Sequence, residues 1–242
     1  MNRDHMMGWA AALLLLTCAP GAASAQDQRQ APSNAVGGNW SAEVDSAATE
    51  SPQAKEVALD TAGKKAVEKI NAYFNGMVHL QGSFTQTDSN RNETSGRFYV
   101  YRPGRLRFEY ASPSLLRIVA DGRYLSVEDH DLKTVDKYPL ESTPFRMLLT
   151  EDVDLLRDAR IVGYAKDSKE LVLTLEDRSN ESPGQIKLFF DTKRGDGIEL
   201  KEWIITDPQG LDTRIQVADL VKGKEVPDDL FKAATVEFPG FN

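Results

Sequence analysis

Cysteine is almost missing from this sequence. The only one, Cys18, lies in an apolar stretch near the N-terminus. Once that stretch is removed, the chain can form neither a disulfide nor a cysteine zinc site, so its stability must come from a packed core. Histidine is nearly as scarce. Beyond the first 25 residues only His79 and His130 remain, too few for the usual tetrahedral metal sites. Gly-x-Ser-x-Gly elbows, phosphate loops and dinucleotide fingerprints are also missing. The expectation is therefore not an enzyme, with no cofactor. Positive charge is in deficit, with 29 Lys and Arg against 37 Asp and Glu and a net charge of −8. No long basic run compensates, which argues against nucleic acid as a partner and against electrostatic docking on an anionic membrane. After the N-terminal run, no apolar segment approaches the ~20 residues a membrane-spanning helix needs.

What is present begins with a signal. Arg3 and the amino terminus precede an almost wholly apolar stretch, 9–19, with Leu13, Leu14, Leu15 and Leu16 in a row. Ala23-Ser24-Ala25 then supplies a small-x-small cleavage pattern, so residues 1–25 read as a secretory signal peptide. Cys18 offers a competing site, because lipoproteins are cut before a cysteine and acylated there. Thr17 precedes it where a smaller residue is preferred, and the better site lies downstream. Residues 26–55 are rich in Ala, Ser, Gln, Asn and Gly without apolar period, the pattern of a disordered leader. Residues 56–242 are enough for one domain with a sizeable core.

From Glu56 the spacing turns helical, with Val67, Ile70, Ala72, Phe74 and Met77 on one stripe. Asp60 or Thr61 can cap this helix, and Gly76 falls near its end. Strand-like alternation follows over 80–87, 94–102, 105–110, 115–120, 123–127 and 132–138. It resumes over 159–165, 170–175, 185–191, 198–206 and 213–221. Asp121-Gly122 between two apolar runs is a strong hairpin signal. In the gap between the two groups, Thr143 is placed as N-cap and Pro144 as first residue of a short helix reaching Leu149. A further turn is expected at 152–157 and a last short helix at 226–231. The class is α+β, mostly antiparallel β. About eleven strands joined by hairpins form one large sheet, with helices covering one face.

Alternation assigns the faces. Phe98, Val100 and Arg102 share one, as do Leu106 with Phe108 and Tyr110, Leu171 with Leu173 and Leu175, and Ile186 with Leu188 and Phe190. Whether the sheet and its helices enclose a cavity does not follow from periodicity. Glu128, Asp129, His130 and Asp131 crowd one hairpin tip, where a solvated acidic turn explains them better than a cation site. Asp152 and Asp154 read as helix-end charges, and Arg194-Gly195-Asp196 as a chance adhesion tripeptide. Two features stand out. Arg102 sits on an apolar face, where a cation needs partners or a path to the rim. The segment around Phe145, Leu148 and Leu149 is an apolar helix inserted in a meander, the position of a lid.

Several of these motifs resemble those of the periplasmic outer-membrane lipoprotein carrier family, LolA. They are Ser83-Phe84-Thr85-Gln86 after an amphipathic helix, Gly96 through Arg102-Pro103, Ile118-Val119-Ala120-Asp121-Gly122 leading to Leu125, and Thr143-Pro144 before Leu148-Leu149. The resemblance runs from about residue 65 to 238. It implies an open half-barrel of eleven antiparallel strands with a helical lid over an apolar cavity. It further implies a monomeric periplasmic carrier of acylated lipoproteins. These come from an inner-membrane ABC transporter and go to an outer-membrane receptor. Arg102 corresponds to the family's lid-contacting arginine. On this reading Phe84, Phe98, Val100, Leu106, Phe108, Ile118, Leu125, Leu173 and Leu188 line the cavity, and Phe145, Leu148 and Leu149 form the lid. The alternatives are a carrier of another lipid or glycolipid, and the receptor of the same pathway, which shares the fold but is itself acylated.

Overall fold

The computed structural model describes residues 54–179, 182–193 and 197–233. The expected signal peptide, most of the leader, Cys18 and Arg194-Gly195-Asp196 lie outside them. The chain enters along an extended segment and then forms helix α1 (Thr61–Asn75). Six strands follow: β1 (His79–Thr87), β2 (Glu93–Tyr101), β3 (Arg105–Tyr110), β4 (Leu116–Asp121), β5 (Tyr124–Asp129) and β6 (Thr134–Pro139). A connection then carries a 3₁₀ turn (Leu140–Ser142), α2 (Arg146–Leu149) and α3 (Leu155–Asp158). Five strands complete the sheet: β7 (Ala159–Lys166), β8 (Glu170–Asp177), β9 (Gln185–Thr192), β10 (Ile198–Thr206) and β11 (Asp212–Lys222). All eleven belong to one antiparallel sheet ordered β6-β5-β4-β3-β2-β1-β11-β10-β9-β8-β7, the single large sheet expected from the strand pattern and the open half-barrel implied by the resemblance.

That order makes a long connection between the two edges a topological necessity. The pairing of β1 with β11 joins two hairpin meanders side by side. β6 and β7, though consecutive, therefore end on opposite edges. Residues 140–158 must cross the whole sheet, and they do so on the apolar side. Leu140, Met147, Leu149, Val153 and Leu155 are buried in the same core as Val67, Ile70 and Phe74 of α1.

Helix α1 begins at Thr61, where the expected cap at Asp60 or Thr61 places it, and not at Glu56, where the helical spacing begins. Asp60 is its N-cap, accepting from the Gly63 N–H at 2.7 Å, and Gly76 closes it. The residues before it are held extended by the β7 edge. The Val57 N–H donates to the Ile161 carbonyl at 2.7 Å, and Arg160 donates to the Ala54 carbonyl at 2.7 Å. An exposed strand edge invites pairing with other chains, and this segment covers part of it. The opposite edge, β6, carries Asp136, Lys137 and Pro139, which discourage such pairing. The second helix also starts late, at Arg146. Thr143 is not its cap. Its hydroxyl donates to the Leu140 carbonyl at 2.8 Å, closing the preceding 3₁₀ turn. The last expected helix is a 3₁₀ turn, Asp228–Phe231. It is held to β3 by Arg107 donating to the Leu230 carbonyl at 2.8 Å.

Gly96 shows how tightly the sheet is built. A Cβ there would stand 1.9 Å from the Glu109 carbonyl oxygen and 2.8 Å from the Phe84 ring. Only glycine lets β2 lie this close to β3 with Phe84 across it. The rings of Phe84 and Tyr110, 5.1 Å apart, fill the space that a side chain would otherwise take.

Candidate functional site

The sheet's inner face and the crossing connection line an apolar cavity of about 60 Å³. β2 carries Phe98 and Val100 inward, and β3 places Leu106 and Phe108 beside them in register. Leu188 of β9 forms part of the far wall, and Phe145, Leu148 and Leu149 cover it from the lid side. Apart from Arg102, every lining side chain is aliphatic, aromatic or Met.

Four residues expected on the wall are elsewhere. Phe84, Ile118, Leu125 and Leu173 are buried in the core but do not line the cavity. They face the predicted side of the sheet. However, alternation gives only the face, while the position of the lid decides which inward residues border free space.

Alternation also missed five lining residues: Phe74, Met77, Leu80, Leu200 and Trp203. The first two come from α1 and the loop after it. Leu200 and Trp203 have an odd spacing, which no regular strand puts on one face. A bulge in the β9–β10 pairing between Leu200 and Glu202 inserts one residue and shifts the inward phase from 198 and 200 to 203 and 205.

Arg102 stands one residue past β2, in the inward phase of Phe98 and Val100, and is only 6 % exposed. Its guanidinium joins the C-terminal ends of two helices. It donates to the Phe74 carbonyl and to Asn75 Oδ1 (3.2 Å) at the end of α1. It also donates to the Thr150 (2.5 Å) and Glu151 (3.3 Å) carbonyls just after α2. Carbonyls at and just past helix C-terminal ends carry partial negative charge, so a cation is favoured there, although the Phe74 carbonyl also accepts from the Met77 N–H at 3.1 Å. The Gly104 N–H adds a bond to the Leu149 carbonyl at 2.8 Å. Burial depresses the Arg102 pKa from its ordinary value, against a smaller pull upward from Asp152.

Polar residues on α1 complete the attachment. Asn75 accepts from the Val153 N–H at 2.8 Å and returns a bond to the Val153 carbonyl at 2.9 Å. Asn71 accepts from the Leu155 N–H at 3.1 Å. Their spacing of four beside buried Ile70 and Phe74 was the available signal that this helix edge docks backbone.

A second anchor grips α2 from the other half of the sheet. Arg146 binds Asp177 through two parallel bonds, Nε–Oδ2 at 2.8 Å and Nη2–Oδ1 at 2.7 Å. Burial alone would push the Asp177 carboxyl up, but hydrogen bonds from Arg146 and Ser179 outweigh it and hold the pKa below its ordinary value.

The acidic hairpin tip forms no metal cluster. Glu128 is buried against Arg117 at 3.4 Å and His130 at 3.3 Å. Asp129 caps the turn by accepting from the N–H groups of Asp131 and Leu132. Among the described residues no group of three or more potential ligands could hold a metal ion. Asp154 caps α3, and Asp152 pairs with Arg157 at 3.3 Å.

The family model and the curated relatives point to one family. The family model "Outer membrane lipoprotein carrier protein LolA" matches residues 75–234. An outer-membrane lipoprotein carrier protein of Chromobacterium violaceum is 29% identical over 177 residues, covering 70% of this chain and 83% of its own. One from Pseudomonas putida is 24% identical over 185 residues, covering 71% and 84%. A solved LolA superfamily protein from Nitrosomonas europaea covers 71% of this chain and 97% of its own, with 12% identity and a TM-score of 0.42. The matched residues make up well over half of the sequence, and the chain belongs to the LolA family of outer membrane lipoprotein carrier proteins, which are carriers and not enzymes.

Proposed function

We propose that this protein carries the acyl chains of lipoproteins across the periplasm, receiving them from an inner-membrane ABC transporter and passing them to an outer-membrane receptor as a soluble monomer. The observation that carries this reading is the apolar cavity under a hydrogen-bonded lid, with Arg102 at its edge. On this reading the lid lifts to admit an acyl chain.

The energetics explain why the lid is needed. A lipid with three acyl chains buries roughly 45 methylenes at ~0.8 kcal/mol each, ~35 kcal/mol in all. That exceeds the ~20 kcal/mol ceiling of non-covalent affinity. Cargo must therefore pass from one apolar phase to another at near-zero net free energy. A lid that recloses favours departure.

A fluorescent fatty-acyl probe is expected to bind the purified protein at about one to one. Leu148→Arg puts a charge on the lid side of the cavity, where an unpaired ion costs several kcal/mol. Probe affinity should fall at least tenfold with the circular dichroism spectrum unchanged. Undiminished binding by the variant, or none by the wild type, would reject the cavity as the binding site.

Cys18 keeps the receptor reading in view. N-terminal sequencing of the exported protein should give Gln26, with the bulk in the soluble periplasmic fraction. Acylated Cys18 on membrane-bound protein would transfer the chain to the receptor role.

A further inference from the structure

Asn75-Gly76 is the only Asn-Gly step in the sequence, and the fold places it where the lid is tied down. Asn75 is the last residue of α1, and Gly76 follows it at φ −75° and ψ 0°. Both are exposed to solvent. The Asn75 amide is nevertheless held on both its polar atoms. Its Oδ1 accepts from the Val153 N–H at 2.8 Å and from Arg102 Nη2 at 3.2 Å, and its Nδ2 donates to the Val153 carbonyl at 2.9 Å. The Gly76 N–H is committed to the Ala72 carbonyl at 2.9 Å.

An asparagine followed by glycine is open to a reaction that needs no enzyme. The glycine backbone nitrogen loses its proton and attacks the asparagine Cγ, and no Cβ on the glycine hinders the approach. The new N–Cγ bond forms, the Cγ–Nδ2 bond breaks and ammonia leaves. Water then opens the cyclic imide to aspartate or isoaspartate. The closed lid opposes the attack from both sides. Val153 and Arg102 pin the side-chain amide, and the last helical turn engages the Gly76 nitrogen.

We infer that Asn75 is a site of spontaneous deamidation guarded by the closed lid, so that its modification records how long the lid has stood open. Both products lack the Nδ2 donor. The Val153 carbonyl then loses its bond and meets a carboxylate oxygen instead, and the modified lid closes less firmly. The inference goes beyond the carrier reading, because it rests on the hydrogen-bonded attachment of the lid and needs no particular cargo.

The test incubates the full chain under mildly alkaline conditions and follows the peptide containing Asn75 by chromatography and mass spectrometry. Slow chemistry through a rare opening proceeds in proportion to the population of the open form. Folded wild type is expected to react slower than the urea-unfolded chain by about tenfold or more. Arg102→Leu removes one guard of the amide and should speed the reaction by about tenfold. Asn71→Ala removes the bond to the Leu155 N–H and should speed it by a smaller factor. Amide exchange at Val153 passes through the same opening and should rise in step in each variant. Adding Gly76→Ala to Arg102→Leu should abolish the modification. Alanine suits φ −75°, and its Cβ would stand 3.1 Å from the Ala72 carbonyl oxygen, so the helix end is kept. Wild type as reactive as the unfolded chain overturns the inference. So does deamidation that stays unchanged in both lid variants, or faster exchange at Val153 without faster deamidation. The carrier reading is untouched by any of these outcomes, since it stands or falls on probe binding.

Discussion

Asp177→Ala is expected to destabilise the domain by about 2–3 kcal/mol and to loosen α2 before the sheet yields. The Asp177 side chain is fully buried, and it holds Arg146 by a bidentate pair. Removing one partner of a fully buried pair costs about 3–5 kcal/mol. The Arg146 side chain is 26 % exposed and can turn toward water, which lowers the figure. Amide exchange should rise first in Met147–Leu149, while β8 and β9 stay protected. The acid dependence gives a second check. The Asp177 pKa is depressed in the folded protein, so its contribution is complete above the ordinary carboxylate pKa of ~3.9. It is lost as pH falls below that value through the folded pKa. The stability gap between wild type and variant should be constant at neutral pH and shrink below about pH 4. A gap that persists unchanged at lower pH would show that Asp177 acts by packing and not by its charge.

Asp177 and Arg102 follow one rule that the sequence displays. The inward phase of β8 runs Leu171, Leu173, Leu175 and then Asp177, and that of β2 runs Phe98, Val100 and then Arg102. Each apolar row ends in a charge, and each charge binds the lid. Alternation was enough to single out Arg102, whereas Asp177 lies two residues beyond the strand expected over 170–175 and drew no notice. Local pattern was also enough for the sheet. β3 and β10 have the expected bounds, and Gly122 sits at φ 100° in the expected hairpin. Features set by distant partners were not legible. Residues 56–60 satisfy a helical pattern, yet the β7 edge holds this stretch extended. Trp203 lies beyond a bulge, and a period-two reading loses phase there. The four misplaced wall residues lie on the correct face, but which inward side chains border the cavity depends on where the lid crosses.

Arg102→Leu should have the largest functional effect, opening the lid and slowing delivery of cargo. In the closed lid Arg102 serves the Phe74, Thr150 and Glu151 carbonyls together with Asn75. Hydrogen bonds to a charged group contribute about 1.5–3 kcal/mol each. Several share one guanidinium and are not additive, and Asn75 and Gly104 hold the segment independently. A net bias of ~3 kcal/mol toward closure, on the order of a hundredfold, is a reasonable scale. On the proposed carrier role, entering chains would break these bonds and departing chains would let them re-form, so that closure would compete with cargo and favour its release. Leucine removes the donors and adds apolar surface beside the cavity, which shifts both steps toward retention. Acyl-probe affinity should rise, and transfer from loaded protein to an acceptor should slow by at least tenfold. Arg102→Lys keeps the charge but loses the planar fork that reaches both helix ends, so it should fall between the two. Following labelled cargo from preloaded wild type, Arg102→Lys and Arg102→Leu to a common acceptor decides the matter. Three equal transfer rates would reduce Arg102 to a helix cap with no part in release.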